Sequence, residues 1–485
     1  MSKLIFEKSV KGRRAVSFPK PSPAEHTYAT VKLPENLSAS KPVDLPEVSE
    51  LDVIRHYTLL SSKNYSIDTH FYPLGSCTMK YNPRVCEKTA GLDGFACLHP
   101  LLPQLRRGET LAQGALEVIW KTERLLCELT GMNGFTLQPM AGAHGELTGL
   151  LLIAAYHRDK GNKRHKVIIP DSAHGTNPAS AAIAGYEVVS VPTDPQGNMD
   201  IEAFKAALTP DIAAVMMTCP NTLGLFETGI LEIAALAHAN DTLLYYDGAN
   251  MNALMGRARP GDLGFDVVHL NVHKTLATPH GGGGPGAGPV GVKESLVPFL
   301  PTSVVEKDAL GKYWLKYDKP KSIGYIAPFY GNYSVLIRAY TYLLQLGGNG
   351  LKAATEYAVL NANYIRVKLQ PYFKIAYDRI CMHECVFTAD KQMEKGVRAL
   401  DIAKALIDAG CHPPTIYFPL IVHEAMMFEP TETESKETID DFIEQMIRIA
   451  QCAKEKPESF ADMPRNTEIS RVDETKAAKA MVLKA

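Results

Sequence analysis

The sequence predicts an α/β protein whose large domain is built on a mostly parallel sheet and is followed by a smaller α+β domain. Between about residues 135 and 250, short apolar runs alternate with helical patterns, as right-handed βαβ units do. From Phe373 onward the alternation gives way to a few strand candidates and two helix patterns, which suit a smaller mixed domain. At 485 residues the chain is too long for one small core. The expected organisation is an N-terminal arm and site-lining loop over residues 1–90, a large domain over 91–335 and a small domain over 336–485.

Residues 1 to about 50 are rich in proline and serine and cannot build a core of their own. They read as a disordered tail or as an arm over a neighbouring subunit, and Leu4, Ile5, Phe6, Val16 and Phe18 favour the arm. Leu51, Ile54 and Leu59 have helical spacing within Glu47–Ser61. The stretch DTHFYPLGSCTMKYNPR (Asp68–Arg84) has the composition of a loop. It also carries His70, Tyr72, Ser76, Cys77, Lys80, Tyr81, Asn82 and Arg84, so it is expected to line a site, with Cys77 as a packed thiol.

A helix is expected over Gly108–Thr130, closed by Gly131, and a strand over Phe135–Leu137. GAHGELTGLLLIAAYHR then opens a helix at about Ala143, and the free N–H groups of a first helical turn can hold an anion. Further strands are expected at Lys166–Pro170, Tyr186–Val191, Ala213–Thr218 and Leu243–Tyr246, the last reaching Asp247. The helices between them fall after DSAHGTNPAS and at Asp200–Leu208 and Ile230–Ala239. Pro289–Val292 reads as a returning strand, and Leu300–Gly331 as polar and irregular. Tyr333–Leu346 and Leu351–Lys368 form two long helical patterns. In the small domain, Cys385–Thr388, Ile416, Tyr417, Ile421 and Val422 are strand candidates, and Val397–Ala409 and Thr438–Glu455 are helices.

Composition narrows the function. A net charge of −2 gives no reason to expect nucleic acid or an anionic membrane as partner. No apolar run approaches the ~20 residues of a membrane span, and the N-terminus lacks the pattern of a secretion signal. Nine scattered cysteines favour reduced thiols and a cytoplasmic location.

Chemistry concentrates in HLNVHKTLATPHGGGG, residues 269–284. A lysine after a half-buried strand (Val267, Val268, Leu270, Val272) can lose its charge by desolvation and condense with an aldehyde, which makes Lys274 the central candidate. A carboxylate such as Asp247 is what pyridoxal phosphate needs to keep its ring nitrogen protonated. In a parallel sheet ligands sit beyond the carboxyl ends of strands. His144, His174, Asn221, Asp247 and Lys274 all follow strand ends and are expected on one edge. The CMHEC run, Cys381 to Cys385, lacks the spacing of a structural zinc site and reads as packed thiols, so no metal is expected.

Five motifs together, HFYPLGSCTMKYNPR, QPMAGAHGELTGL, DSAHGTNPASA, YYDGANMNA and NVHKTLATPHGGGGPGAGPVGV, resemble the P-protein family of glycine dehydrogenase (decarboxylating). Within it they resemble the second subunit of the two-subunit bacterial and archaeal form, over about residues 50–460. The resemblance implies an aspartate-aminotransferase-like, fold type I architecture with pyridoxal 5′-phosphate as cofactor. It implies glycine decarboxylation with transfer of the aminomethyl group to the lipoyl group of H-protein. It also implies a first subunit as partner in an α2β2 assembly, because a second copy of the fold is missing here.

Carried over, Lys274 would bond the cofactor, Asp247 would face its ring nitrogen and His174 would stack on the ring. Ala143 and His144 would present backbone donors to the phosphate, with His273 beside it. Asn221, Thr222 and Ala249 would line the ring or substrate, and His70 or His174 would assist Lys274 with protons. The Gly281–Gly284 and Asp68–Arg84 loops would wall a channel for the lipoyl arm. Arg84, Arg338, Arg366 and neutral donors of the 68–84 loop all qualify to hold the substrate carboxylate. The competing readings are another fold type I enzyme, such as a decarboxylase or desulfurase, and a non-catalytic partner subunit. A nucleotide binder is disfavoured, because no GK[ST] follows the glycines.

Overall fold

Four apolar runs of the sequence become adjacent, fully paired strands, and their side chains alternate between two core layers. The computed structural model describes residues 3–17, 34–37, 44–99, 101–105, 107–280, 284–328 and 330–482. These form two compact units, residues 1–69 and 70–485. The first division therefore falls at 69/70, whereas the sequence placed it near 90. The reason is that the 70–84 segment is tied to the small sheet by a bridge between Leu74 and Phe428 and a bond from Glu429 N to Pro73 O (3.1 Å).

Among its described residues the first unit contains one regular α-helix, α1 (Glu50–Ser61), opened by a capping box between Ser49 and Asp52. Arg13 pairs with Asp52 at 3.0 Å. The helical spacing of Leu51, Ile54 and Leu59 thus marks a real helix; all three are exposed, and its one buried residue is His56. Phe18 and most of the proline-rich stretch lie outside the described residues.

The second unit begins with short helices α2 (Arg84–Ala90), α3 (Asp93–Ala96) and α4 (Gly108–Leu111). Helix α5 (Gln113–Thr130) is separated from α4 at Ala112, so the single helix expected there is two. Gly131, at φ 72°, closes it, a left-handed position that favours glycine. Then follow β1 (Gly134–Thr136), α6 (Gly142–Asp159), β2 (Lys166–Pro170), α7 (Thr176–Ile183), β3 (Glu187–Val191), α8 (Ile201–Ala207), β4 (Ile212–Thr218), α9 (Ile230–Ala239), β5 (Leu243–Gly248), β6 (Val267–Leu270), α10 (Val272–Thr275) and β7 (Val290–Val292). The seven strands make one sheet in the order β1-β7-β6-β5-β4-β2-β3. Every neighbouring pair is parallel except those made by β7, which runs antiparallel to β1 and β6.

Both faces of this sheet are covered, which is why its strands read as continuous apolar runs. Ile168, Val215, Leu244, Tyr246 and Val268 belong to one core layer; Val167, Ile169, Met216, Tyr245 and Val267 belong to the other. Burying each large side chain contributes roughly 1.5–3 kcal/mol. Helix α6 lies so close to the sheet that a Cβ on Gly149 would meet Tyr245 Cε2 at 2.3 Å and Val267 Cγ1 at 3.0 Å. The Tyr245 ring is fully buried and has nowhere to turn. Gly149→Ala is therefore expected to destabilise the protein by about 1–3 kcal/mol, read as a lowered thermal midpoint.

Residues 300–331, expected to be irregular, contain a hairpin of β8 (Val304–Lys307) and β9 (Tyr313–Lys316). Its strands are four residues each and bury only Val305, Tyr313 and Leu315, too weak a period to stand out among lysines and tyrosines. Helix α11 (Tyr333–Leu369) is broken at Gly347 (φ 58°), as two helical patterns predict.

The small antiparallel sheet, ordered β10-β11-β13-β12, comprises β10 (Lys374–Ile375), β11 (Cys385–Thr388), β12 (Thr415–Ile416) and β13 (Ala425–Phe428). Its helices are α12 (Asp390–Met393), α13 (Ala399–Asp408), α14 (Lys436–Glu455) and the exposed α15 (Glu474–Lys479). Phe387, Phe428, Phe442 and Met446 fill its core with Ile365 and Leu369 of α11. The sequence placed its last strand at Ile421–Val422, yet β13 is AMMF. It has no β-branched residue and owes its place to burial rather than propensity.

Candidate active site

Strands β2, β4, β5 and β6 run parallel, so the residues after them gather on one edge of the sheet. His174 follows β2, Asn221 and Thr222 follow β4, Asp247 closes β5, and Lys274 sits on α10 beyond β6. All five line one cavity together with Gly142 and Ala143 of α6, Ala249, Asn250 and Asn271. The small domain adds His383 and Glu384, and the 70–84 segment adds Ser76. Lys274 does not extend directly from a half-buried strand: β6 is fully buried, and a short helical turn carries the lysine past its end. Its Nζ donates to Ser76 O (2.7 Å) and Asn250 Oδ1 (3.2 Å).

Asp247 is buried at the end of β5. Asn177 Nδ2 donates to Oδ2 at 2.8 Å, Ala249 N donates to Oδ1 at 3.0 Å, and His269 Nε2 lies 3.3 Å from Oδ1. Burial pushes its carboxyl up, but His269, the Asn177 amide, the Ala249 N–H and Lys274 together hold it below the usual carboxylate range. His269 Nδ1 is 2.9 Å from the Tyr245 hydroxyl, giving a buried Tyr245–His269–Asp247 row. Glu146 lies beside it and accepts from Thr176 Oγ1 (2.8 Å) and Ser180 Oγ (2.9 Å).

The other expected residues are placed unevenly. His174 is exposed, accepts from Thr176 N (3.3 Å), and lies 5.3 Å from the Phe418 ring. Asn221 spends its amide on Gly197 O (2.7 Å) and on Leu223 and Leu225 N–H, and the Thr222 hydroxyl donates to Ser172 O. Both therefore shape the wall through their loop. His144 and His273 do not line the cavity. His144 Nδ1 accepts from Met140 N at 3.2 Å. His273 packs beside His280 and Gly286, and burial, then the nearby charges of His280 and Lys274, push it down to about 4. His70, expected to assist Lys274, lies elsewhere: it lines a hollow with Phe71, Cys411 and Phe442, because the bridge at Leu74 turns the chain there along the small domain.

Sequence reasoning missed His269, Glu146, Asn177, His383 and Glu384, whereas Ser76 lines the cavity as expected of its loop. His269 was detectable, since the strand after the Asp247 strand carries one polar residue, and β5–β6 register pairs it with Asp247. Within CMHEC the cysteines face the small core, as packed thiols do, while His383 and Glu384 face the cavity.

A mostly parallel seven-stranded sheet, a small C-terminal α+β part, and a lysine and a buried carboxylate at neighbouring strand ends define the class of fold type I pyridoxal-phosphate-dependent enzymes. Two solved structures share the architecture. One is glycine decarboxylase (P-protein) of the glycine cleavage system in inhibitor-bound form, at TM-score 0.72 and 21 % identity over 88 % of this chain and 95 % of that one. The other is a sphingosine-1-phosphate lyase of Burkholderia pseudomallei, at TM-score 0.62 and 14 % identity over 87 % and 94 %. Residues 26–317 match the family described as glycine cleavage system P-protein, and residues 354–469 match the glycine dehydrogenase C-terminal domain. The probable glycine dehydrogenase (decarboxylating) subunit 2 of Caldanaerobacter subterraneus is 57 % identical over 99 % of this chain and 98 % of its own length. The chain belongs to the glycine dehydrogenase (decarboxylating) subunit 2 family.

Proposed function

We propose that this chain holds pyridoxal 5′-phosphate through Lys274 and, with a first subunit, decarboxylates glycine and passes the aminomethyl group to the lipoyl group of H-protein. The observation that carries the reading is the convergence of Lys274, the buried Asp247 and the first turn of α6 on one cavity. The residues present fit the cofactor. In α6 the first intrahelical bond is Gly145 N to Ala141 O, and Ala141 offers no side-chain cap, so the N–H groups of Gly142, Ala143 and His144 suit a phosphate. A Cβ on Gly142 would meet Asn271 Oδ1 at 2.3 Å, so glycine keeps that approach open. Asn271 Oδ1 is buried with no hydrogen-bond partner among the described residues.

Bound there, pyridoxal phosphate supplies a sink for the electron pair left when carbon dioxide departs. Asp247 would hold a proton on the ring nitrogen of the bound cofactor by its charge, and the Asn177 and Ala249 donors keep the carboxylate ionised and fixed. Lys274 would bind the cofactor through Nζ and, as a free amine, would be able to carry a proton there. Ser76 O and Asn250 Oδ1 hold that amine in place. Of the channel walls expected for the lipoyl arm, Gly281–283 lie outside the described residues, while Ser76 of the other loop does line the cavity. The exposed apolar residues of α1 support a protein partner. Among the described residues no helix is long and apolar enough to cross a membrane, and a cytoplasmic location remains part of the proposal.

The test is an absorbance spectrum with added pyridoxal phosphate, before and after borohydride, followed by peptide mapping. The expected result is a cofactor band that reduction fixes onto Lys274, with the chain alone or on mixing with the first subunit. No band in either condition would overturn the reading.

A further inference from the structure

The three arginines that qualify by sequence to hold the substrate carboxylate are not among the cavity's lining residues. Arg338 is engaged by Glu87 through two bonds of 2.8 Å, Arg366 pairs with Asp378 at 3.2 Å, and Arg84 is exposed at the start of α2. Lys274 is the cavity's one lysine or arginine among the described residues. The small domain instead brings a buried histidine and a buried carboxyl to its wall.

Glu384 is 2 % exposed, and its Oε2 accepts from Ser76 N at 2.8 Å, while Ser76 O takes Lys274 Nζ. One residue therefore ties the carboxyl to the lysine. Glu384, His383 and the equally buried Glu429 each offer an atom within 4.8 Å of the others. Two buried carboxyls that close do not both ionise. Glu429 accepts from Thr78 N (2.9 Å), Thr78 Oγ1 (2.6 Å) and Asn252 Nδ2 (2.9 Å), donors that suit the charged member. The proton then belongs to Glu384; burial and the neighbouring Glu429 charge drive its carboxyl far above the ordinary range. A bound cation is disfavoured by Lys274 and by the donors already on both carboxyls.

His383 is settled by the same network. Asn250 Oδ1 takes Lys274 Nζ, which leaves Asn250 Nδ2 to donate to His383 Nε2 at 3.3 Å. The ring proton is therefore on Nδ1, which is buried and has no partner among the described residues. Burial keeps the ring neutral, against the pull of Glu429 and with the help of Lys274. An unmet buried N–H is unfavourable, so it points to an acceptor that arrives with a ligand.

We propose that Glu384 and His383 receive the carboxylate of the amino-acid substrate, through two hydrogen-bond donors in place of a guanidinium. The inference rests on the reading of Lys274 as the cofactor lysine. It also fits the direction of the reaction. A carboxylate held by neutral donors is stabilised less in the ground state than one in an ion pair, and its departure as uncharged carbon dioxide breaks no salt bridge.

The test titrates glycine and methylamine, the same amine without the carboxylate, into the assembled, cofactor-loaded enzyme and follows the absorbance change. Glu384→Ala is expected to weaken glycine about ten- to hundredfold and methylamine less than about threefold. Glu384→Gln keeps a neutral donor and is expected to stay within about fivefold of wild type for glycine. The pH dependence has a definite sign. Glu384 faces Glu429 just past β13, Lys274 from α10, Cys77 from the 70–84 loop, and Cys381 and His383 from its own segment. It donates while protonated, so wild-type glycine affinity falls as alkaline pH ionises it, a fall Glu384→Gln lacks. Equal weakening of both amines, unchanged glycine affinity in Glu384→Ala, or a loss in Glu384→Gln as large as in Glu384→Ala would overturn the inference alone. A wild-type enzyme without a cofactor band would instead overturn the cofactor reading, and this inference with it.

Discussion

Lys274→Ala is expected to lower glycine-dependent carbon dioxide release by about three orders of magnitude or more, because in the proposed reading the amine it removes both anchors the cofactor and carries protons. The fold should survive. The partners left behind, Ser76 O and Asn250 Oδ1, line an open cavity where water replaces the lost donor, a cost of about 1 kcal/mol. Lys274→Arg should not rescue the activity, since a guanidinium keeps its proton and cannot condense with an aldehyde. Two measurements check the pair. Carbon dioxide release with the first subunit present reads the chemistry, and borohydride reduction followed by peptide mapping reads the bond. A variant within tenfold of wild type, or cofactor fixed at another lysine, would refute the role.

How much of this was legible follows from where each residue sits. β2 and α9 fall where the sequence put them, and β4 and β5 within a residue or two, because a parallel sheet covered on both faces leaves uninterrupted apolar runs. Asp247 lies at the end of β5 and Lys274 on the turn past the adjacent β6, so the strand pattern carried that half of the cavity. The other half comes from tertiary packing that no local period records. Met382 N bonds to Gly224 O at 2.7 Å, and Gly224, at φ 74°, lies so close that a Cβ there would meet Glu384 O at 2.1 Å. That docking swings His383 and Glu384 over the sheet edge from far along the chain. His70 shows the converse: its loop chemistry suggested a site, but the pairing of Leu74 with Phe428 sends it to another hollow.

Asp247→Asn is the sharpest test of the site's electrostatics, because it keeps the shape and removes the charge. The carboxylate accepts from Asn177 Nδ2 on one oxygen and from Ala249 N on the other, with His269 Nε2 3.3 Å away. An amide offers one oxygen and one donor to these groups, so at least one buried N–H loses its acceptor, at about 1–3 kcal/mol. Activity is expected to fall further, by about two to four orders of magnitude, since an amide cannot hold a proton on the ring nitrogen. Acid exposes the same charge. Asp247 lies below its ordinary value in the folded protein, so the stability its ionisation contributes is complete above the unfolded-state pKa and is lost as pH falls through the lowered folded value. The stability gap between wild type and Asp247→Asn should therefore be widest near neutral pH and narrow in acid. Denaturant midpoints of both proteins across that range measure it. A gap that stays constant into strong acid would mean that Asp247 is not held as a carboxylate, and that the Tyr245–His269 row supports something other than its charge.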